Sequence, residues 1–247
     1  MQLYFIRHAE SENNALYANT GSWIGRKSDP SLTDTGREQA AILARYLVQN
    51  YRPEPNHDRD IHNHHGYHFT HLYCSLMERA ILTGQALSEA LDLPLVGWEE
   101  IHEHGGIFHR DEETEEHIGL PGRNRHEFGT LFPALHVPDH VQQIGWWNRP
   151  YEDWADVPAR AELFLHALLE KHGGTDDRVA IVSHGGFYQA FLGAIVGLPL
   201  PRTGREAIPR VWFAINNTAI SRFDFTERGV NPTYLNRVDH LAIELVT

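Results

Sequence analysis

Two strand-like runs near opposite ends of the chain each finish on a histidine. Gln2-Leu-Tyr-Phe-Ile-Arg7 is a run of β-formers that stops at His8, and this composition reads as a buried strand delivering polar side chains to its C-terminal edge. Arg178-Val-Ala-Ile-Val-Ser183 ends in the same way, in His184-Gly185-Gly186. Ligands of open α/β sheets sit at that edge. Two histidines and an arginine brought together there form a site for a phosphate group.

The runs between them have helical spacing. Thr33 or Asp34 reads as an N-cap for a helix through about Gln49, with Ala40, Leu43, Ala44 and Leu47 on one stripe. Phe69 to Cys74 reads as a second parallel strand and Met77 to Leu91 as a helix. A further helix over about Val157 to His172 stops at Gly173-Gly174. After Gly186 an apolar helix runs to about Val196, which turns its N-terminal amides toward the site. Strands alternating with helices imply right-handed crossovers and an α/β fold of three layers, a mostly parallel sheet with helices on both faces. Val211 to Ile215, Ala219 to Phe225 and Val238 to Leu245 alternate well enough to finish the sheet, with a turn at Asn216-Asn217.

Composition narrows the function. A chain of 247 residues with 41% apolar residues buries a full core within one domain. No stretch approaches the roughly 18 unbroken apolar residues of a membrane helix. The first strand begins at Gln2, leaving no room for a signal peptide, and Cys74 is the only cysteine, so the expected setting is cytoplasmic. A formal charge of -12 argues against nucleic acid as a partner. It leaves room for an anion in a local basic pocket, and it leaves the choice between monomer and homo-oligomer open.

Taken together, the motifs resemble the histidine phosphatase superfamily, the phosphoglycerate mutase-like enzymes, in its larger branch. They are Arg7-His8-Ala9-Glu10-Ser11 with Asn14; Leu32-Thr33-Asp34-Thr35-Gly36 with Gln39-Ala40; Ser75-Leu76-Met77-Glu78-Arg79-Ala80 with Thr83; and Ser183-His184-Gly185-Gly186. Ala9 stands where the family most often has Gly, and Leu76 where Pro is common. The resemblance implies His8 as nucleophile, forming a phosphohistidine. It implies Arg7, Arg79, His184 and Asn14 around the phosphoryl group, with the helix amides at Gly185 and Gly186 beside it. No metal or other cofactor is implied. A proton-donating glutamate is expected in Trp98 to Phe108; Glu103 fits the family's spacing best and Glu100 is the alternative. The implied ligand is a small phosphorylated substrate, with inorganic phosphate as the product of hydrolysis.

Two stretches are harder to read. Tyr51 to His71 holds His57, His62, His64, His65, His68 and His71; clustered histidines can bind zinc, but the lack of cysteine or tight paired spacing favours a solvated insertion. His109 to Trp154 lacks periodicity and reads as an irregular insertion with short helices, a lid of the kind that selects substrates. Within it Arg123, Arg125 and Arg149 are candidates for the non-transferred part of an anionic substrate. The resulting expectation is a metal-independent phosphatase acting on a small phosphomonoester. The rivals are a phosphoglycerate mutase, for which Arg123-Asn124-Arg125 is only a loose substitute for the usual arginine pair, and a non-catalytic protein that binds a phosphorylated ligand.

Overall fold

The first strand, β1 (Gln2–Arg7), alternates strictly: Leu3 and Phe5 face one side of the sheet, Tyr4 and Ile6 the other, and all four are buried. Only a strand covered on both faces has that use for an unbroken apolar run. The computed structural model of the protein describes residues 1–49, 60–141, 143–197 and 211–247. On one face of the sheet lie α2 (Asp34–Gln49) and α3 (Glu78–Leu91), and on the other α5 (Val157–His172) and α6 (Gly185–Val196). Among the described residues the remaining α-helices are α1 (Glu12–Thr20), which follows β1, and α4 (Arg125–Leu131).

The main sheet has seven strands in the order β6-β3-β2-β7-β1-β8-β9. Parallel pairing joins β1 to β7 (Arg178–Ser183), β7 to β2 (His71–Cys74), β2 to β3 (Leu95–Gly97) and β3 to β6 (Leu135–His136). On the other side of β1, β8 (Ile220–Thr226) and β9 (Gly229–Arg237) are antiparallel. A separate hairpin pairs β4 (Phe108–Arg110) with β5 (His117–Gly119). This is the three-layer α/β arrangement read from the sequence.

Two of the three expected terminal strands differ. Val211–Ile215 forms no strand; Phe213 instead exchanges hydrogen bonds with the side-chain amide of Gln189 on α6. Val238–Leu245 holds a turn and a short 3-10 helix, Ile243–Leu245. The sheet is completed by β9, whose polar sequence and Pro232 suit an edge strand, where one face and one row of backbone groups meet water.

The run joining α2 to β2 is also more than a solvated insertion. Its residues 50–59, including His57, lie outside the described residues, but Asn63 and Tyr67 are buried. The Tyr67 ring packs edge-on to Tyr4 at 5.6 Å, and Asn63 donates to the Tyr4 hydroxyl at 2.8 Å. Within 109–154 the expected short helix is present as α4, and the short strands β5 and β6 join it; strands this short leave no periodicity to detect.

Candidate active site

The register of the two central strands decides where the histidines fall. Arg7 pairs with Ser183, so His8 and His184, each one residue further on, emerge side by side with ring centroids 5.0 Å apart. The backbone N–H of His8 donates to the Ser183 carbonyl at 2.9 Å, carrying the ladder to the last residue before the site. Both imidazoles are buried.

The tautomer of His8 follows from its partners. Its Nδ1 lies 2.7 Å from the Ala9 carbonyl, an acceptor, so Nδ1 carries the proton. Nε2 then presents its lone pair, which accepts a hydrogen bond from Arg79 Nε at 3.1 Å. Helix α3 is fixed against this loop through Thr83, whose hydroxyl accepts from the Ala9 N–H and donates to the Arg79 carbonyl. Burial first, then the charges of Arg79 and Arg7, hold the His8 pKa well below its ordinary value. Burial and Arg79 do the same to His184. In the ligand-free site both rings are therefore neutral near pH 7.

The guanidinium of Arg7 donates to the Ile215 carbonyl at 2.6 Å, leaving its Nε buried without a partner, and both ring nitrogens of His184 are in the same position. Buried polar atoms are nearly always satisfied in a native fold. Here three atoms lack a hydrogen-bond partner beside His8; the Arg7 N–H suits an anion, and His184 offers it two donors once its ring is protonated. Burial pushes Arg7 down to about 10, which leaves it charged at neutral pH, and burial also lowers Arg79. Asn14 joins them at the cavity wall; its side-chain oxygen accepts from the Ser11 amide and hydroxyl and closes the cap of α1.

Glu103 lies on the loop after a 3-10 turn, Glu99–Ile101. Its carboxylate accepts from the N–H groups of Gly186 and Phe187, each at 3.0 Å, and from the N–H of His104 at 2.9 Å. Burial would raise its pKa, but His104, His184 and Arg79 outweigh burial and hold it well below the ordinary value. This changes the expected role of the α6 amides. The N–H of Gly186, expected with that of Gly185 to lie beside the phosphate, is filled by Glu103, as is that of Phe187, and the positive end of the helix anchors a carboxylate. Gly186 is needed for this, because a β-carbon there would run into the Glu103 carboxylate and the His104 ring. Gly185 abuts Arg7, with its β-position 3.5 Å from Arg7 Nε. Glu100, the alternative acid, is exposed on the 3-10 turn and lines a different depression.

A cavity of about 540 Å³ opens above these groups. Arg7, His8, Arg79 and Glu103 form its floor, and Trp23, Phe108, His117 and Tyr151 form much of its wall. None of the three arginines expected to reach a substrate lines it. Arg123 is bound to Asp29 and Glu78, and Asp29 in turn lies 4.0 Å from Arg79. Arg125 ties down the carbonyls of Val137, Pro138 and Val141. Arg149 pairs with Glu99 and stacks on Trp147. The cavity's outer arginines are Arg26 and Arg110. Arg110 is paired with Glu115, whereas no carboxylate of the described residues lies within 4 Å of Arg26, which stacks on Phe108 at 3.8 Å and donates to the Phe108 carbonyl. Sequence reading passed over Arg26, and a lone arginine among Gly25 and Lys27 carries no signal that could have marked it.

The model of the histidine phosphatase superfamily (branch 1) matches residues 3–54 and 61–238. The chain belongs to that superfamily. Among its relatives is a 2,3-bisphosphoglycerate-dependent phosphoglycerate mutase of Latilactobacillus sakei, 31% identical over 60% of this chain; the match spans only 48% of the mutase. A glucosyl-3-phosphoglycerate phosphatase of Mycolicibacterium vanbaalenii is 26% identical over 81% of this chain and 76% of its own length. Among solved structures, the fold is shared with an Entamoeba histolytica phosphoserine phosphatase in complex with 3-phosphoglyceric acid, at TM-score 0.57 and 18% identity over 98% and 99% of the two chains. It is shared equally with a mycobacterial glucosyl-3-phosphoglycerate phosphatase, at TM-score 0.58 and 18% identity over 96% and 99%.

Proposed function

We propose that this superfamily member is a metal-independent phosphatase that hydrolyses a small phosphomonoester through a phosphohistidine on His8. The observation that carries the reading is the unprotonated Nε2 of His8, met only by the Arg79 N–H and close to the buried Arg7 and His184, at the floor of an open cavity.

A phosphoryl group in transfer spreads negative charge over its three peripheral oxygens, so catalysis is chiefly positioning and charge stabilisation. Arg79 caps the His8 lone pair in the ligand-free site. An arriving phosphate draws that N–H onto one of its oxygens, which frees Nε2 and places it next to phosphorus. Nε2 then attacks in line, the P–Nε2 bond forms and the ester P–O bond breaks. Arg7, Arg79, Asn14 and His184, which takes up a proton from solvent as the bound phosphate's negative charge raises its proton affinity, hold the oxygens. The departing alkoxide needs a proton from Glu103, and water later gives that proton back as it attacks the phosphohistidine. Glu103 is ionised in the ligand-free site, so the proton must arrive with the substrate: a phosphate monoanion entering the cavity can hand it over, its charge raising the carboxylate's proton affinity.

Substrate choice is assigned to the 109–154 insertion together with the loop that carries Trp23 and Arg26. A half-buried Arg26 guanidinium with no carboxylate partner among the described residues favours a substrate whose non-transferred part is itself acidic. Several relatives are named for such compounds, the phosphoglycerates and phosphoserine. Steady-state assays of the wild type and His8→Ala on a panel of phosphomonoesters test the proposal: hydrolysis lost in the variant supports it, and hydrolysis retained refutes a His8 nucleophile. The mutase reading rests on the 31% identity to the Latilactobacillus protein, and interconversion of 3-phosphoglycerate without net phosphate release would establish it.

A further inference from the structure

His71, the last histidine of the 57–71 run, meets two residues from the far half of the chain. It opens β2, His172 closes α5, and Asp177 sits in the turn that leads into β7. One donor atom from each lies within 4.8 Å of the other two. Asp177 holds the centre: its two oxygens lie 2.8 Å from His172 Nδ1 and 3.8 Å from His71 Nδ1. We propose that His71, His172 and Asp177 form a binding site for a zinc-class divalent cation, separate from the His8 cavity.

The donor set fits such an ion. Two imidazole nitrogens and one carboxylate oxygen are the ligands of a three-residue zinc site whose fourth position is left to water. Ligand atoms around tetrahedral zinc stand about 3.4 Å apart, given bonds of about 2.1 Å, so each donor needs to move by about 1 Å. An orienting partner is already in place. The Tyr73 hydroxyl lies 3.1 Å from His172 Nε2, where it would accept the ring proton once Nδ1 turned to the metal. An entry path exists as well, because the side chains of His71 and Asp177 are 39% and 26% exposed while that of His172 is buried.

Position separates this site from the chemistry. Residues 71 and 177 stand at the beginnings of β2 and β7, whereas His8 and His184 emerge from the ends of β1 and β7, at the opposite edge of the same sheet. A cation here would add a further tie between the start of a central strand, the last residue of α5 and the turn that follows it, segments already joined by the β2–β7 ladder, by the Thr175 hydrogen bonds to the His172 carbonyl and by the His172–Asp177 hydrogen bond. The consequence of binding is therefore stability rather than turnover.

The test is to strip the full chain with a chelator and titrate it with cobalt(II), whose tetrahedral complexes absorb in the visible, and with zinc followed by thermal unfolding. One equivalent should develop the band, excess zinc should bleach it, and zinc should raise the melting temperature by about 5 °C. His71→Gln and Asp177→Asn, both at accessible positions, should weaken binding at least tenfold and abolish the shift, while His64→Gln with His65→Gln should change neither. Absence of a band in the wild type, or a band that survives in His71→Gln and Asp177→Asn, would overturn the proposal. So would a band lost only with His64 and His65.

Discussion

Arg79 Nε donates to His8 Nε2 at 3.1 Å, so the residue proposed to grip the phosphoryl group also caps the lone pair of the proposed nucleophile. One guanidinium serves two states in turn, and the two states make different demands on it. Arg79→Lys keeps the charge and loses the flat fork that spans phosphoryl oxygens. We expect kcat to fall by about two to three orders of magnitude, the range for loss of one preorganised donor, with competitive inhibition by vanadate weakened in parallel. A lysine variant at near wild-type kcat would show that Arg79 does not touch the reacting group.

Glu103 is held by the first amides of α6 and by His104, which fixes the carboxylate where a leaving group would depart. Glu103→Gln should lower kcat/KM on an alkyl phosphate by about 10² to 10⁴. It should cost much less on p-nitrophenyl phosphate, whose leaving group needs no proton. Gly186→Ala should reproduce that pattern by displacing the carboxylate. Equal losses on both substrates would contradict a proton-donor role.

The lowered pKa of His8 sets the acid limb of the rate profile. On the proposed mechanism only the neutral ring can attack, and its folded-state pKa lies well below the ordinary 6.5, so kcat/KM should not fall as pH drops through 6.5 and should fail only at distinctly lower pH. A limb centred at 6.5 that shifts on changing His8 would contradict this environment.

Stability has its own pH dependence, and buried His102 contributes to it. Burial lowers its pKa to about 4, so the unfolded chain takes up a proton near 6.5 that the folded chain refuses. Stability is thus fully present above about pH 6.5 and is lost as pH falls from there toward 4, by about 3 kcal/mol for this one group. Denaturant unfolding at pH 7 and pH 4.5 should show His102→Gln losing less stability between the two than the wild type; the same loss in both would contradict the assignment.

How much of this was legible in the sequence depended on whether neighbours in space were neighbours in the chain. The strands ending at Arg7 and Ser183 announce themselves by apolar runs, and a fixed parallel register then places His8 beside His184. Helices α2, α3, α5 and α6 follow from periodicity in the same way. By contrast β9, a polar edge strand interrupted by Pro232, has the composition of a loop, and Val211–Ile215 has that of a strand but bonds to a side chain. At the site the floor was readable and the wall was not. Arg123 and Arg125 were the conspicuous arginines, yet the folded chain spends them on Asp29, Glu78 and backbone carbonyls, while Arg26 gains its place only by the path of a loop.

That exchange of arginines yields a pair of opposed expectations. Arg26→Ala should raise KM about tenfold or more for substrates with an acidic tail and leave p-nitrophenyl phosphate nearly unchanged. Arg123→Ala should act through structure, leaving the largely buried Asp29 carboxylate, 13% exposed, with one fewer partner at a cost of about 2 kcal/mol, with kcat lowered on every substrate as Arg79 loses its support. KM effects confined to Arg123 would reverse the two assignments.

The most direct measurement is to quench the enzyme during turnover and look for covalent phosphate. The account predicts an acid-labile, base-stable phosphoryl group on His8, absent in His8→Ala and more abundant in Glu103→Gln when p-nitrophenyl phosphate is the donor. A quenched enzyme that turns over substrate yet carries its phosphate on another residue would contradict it.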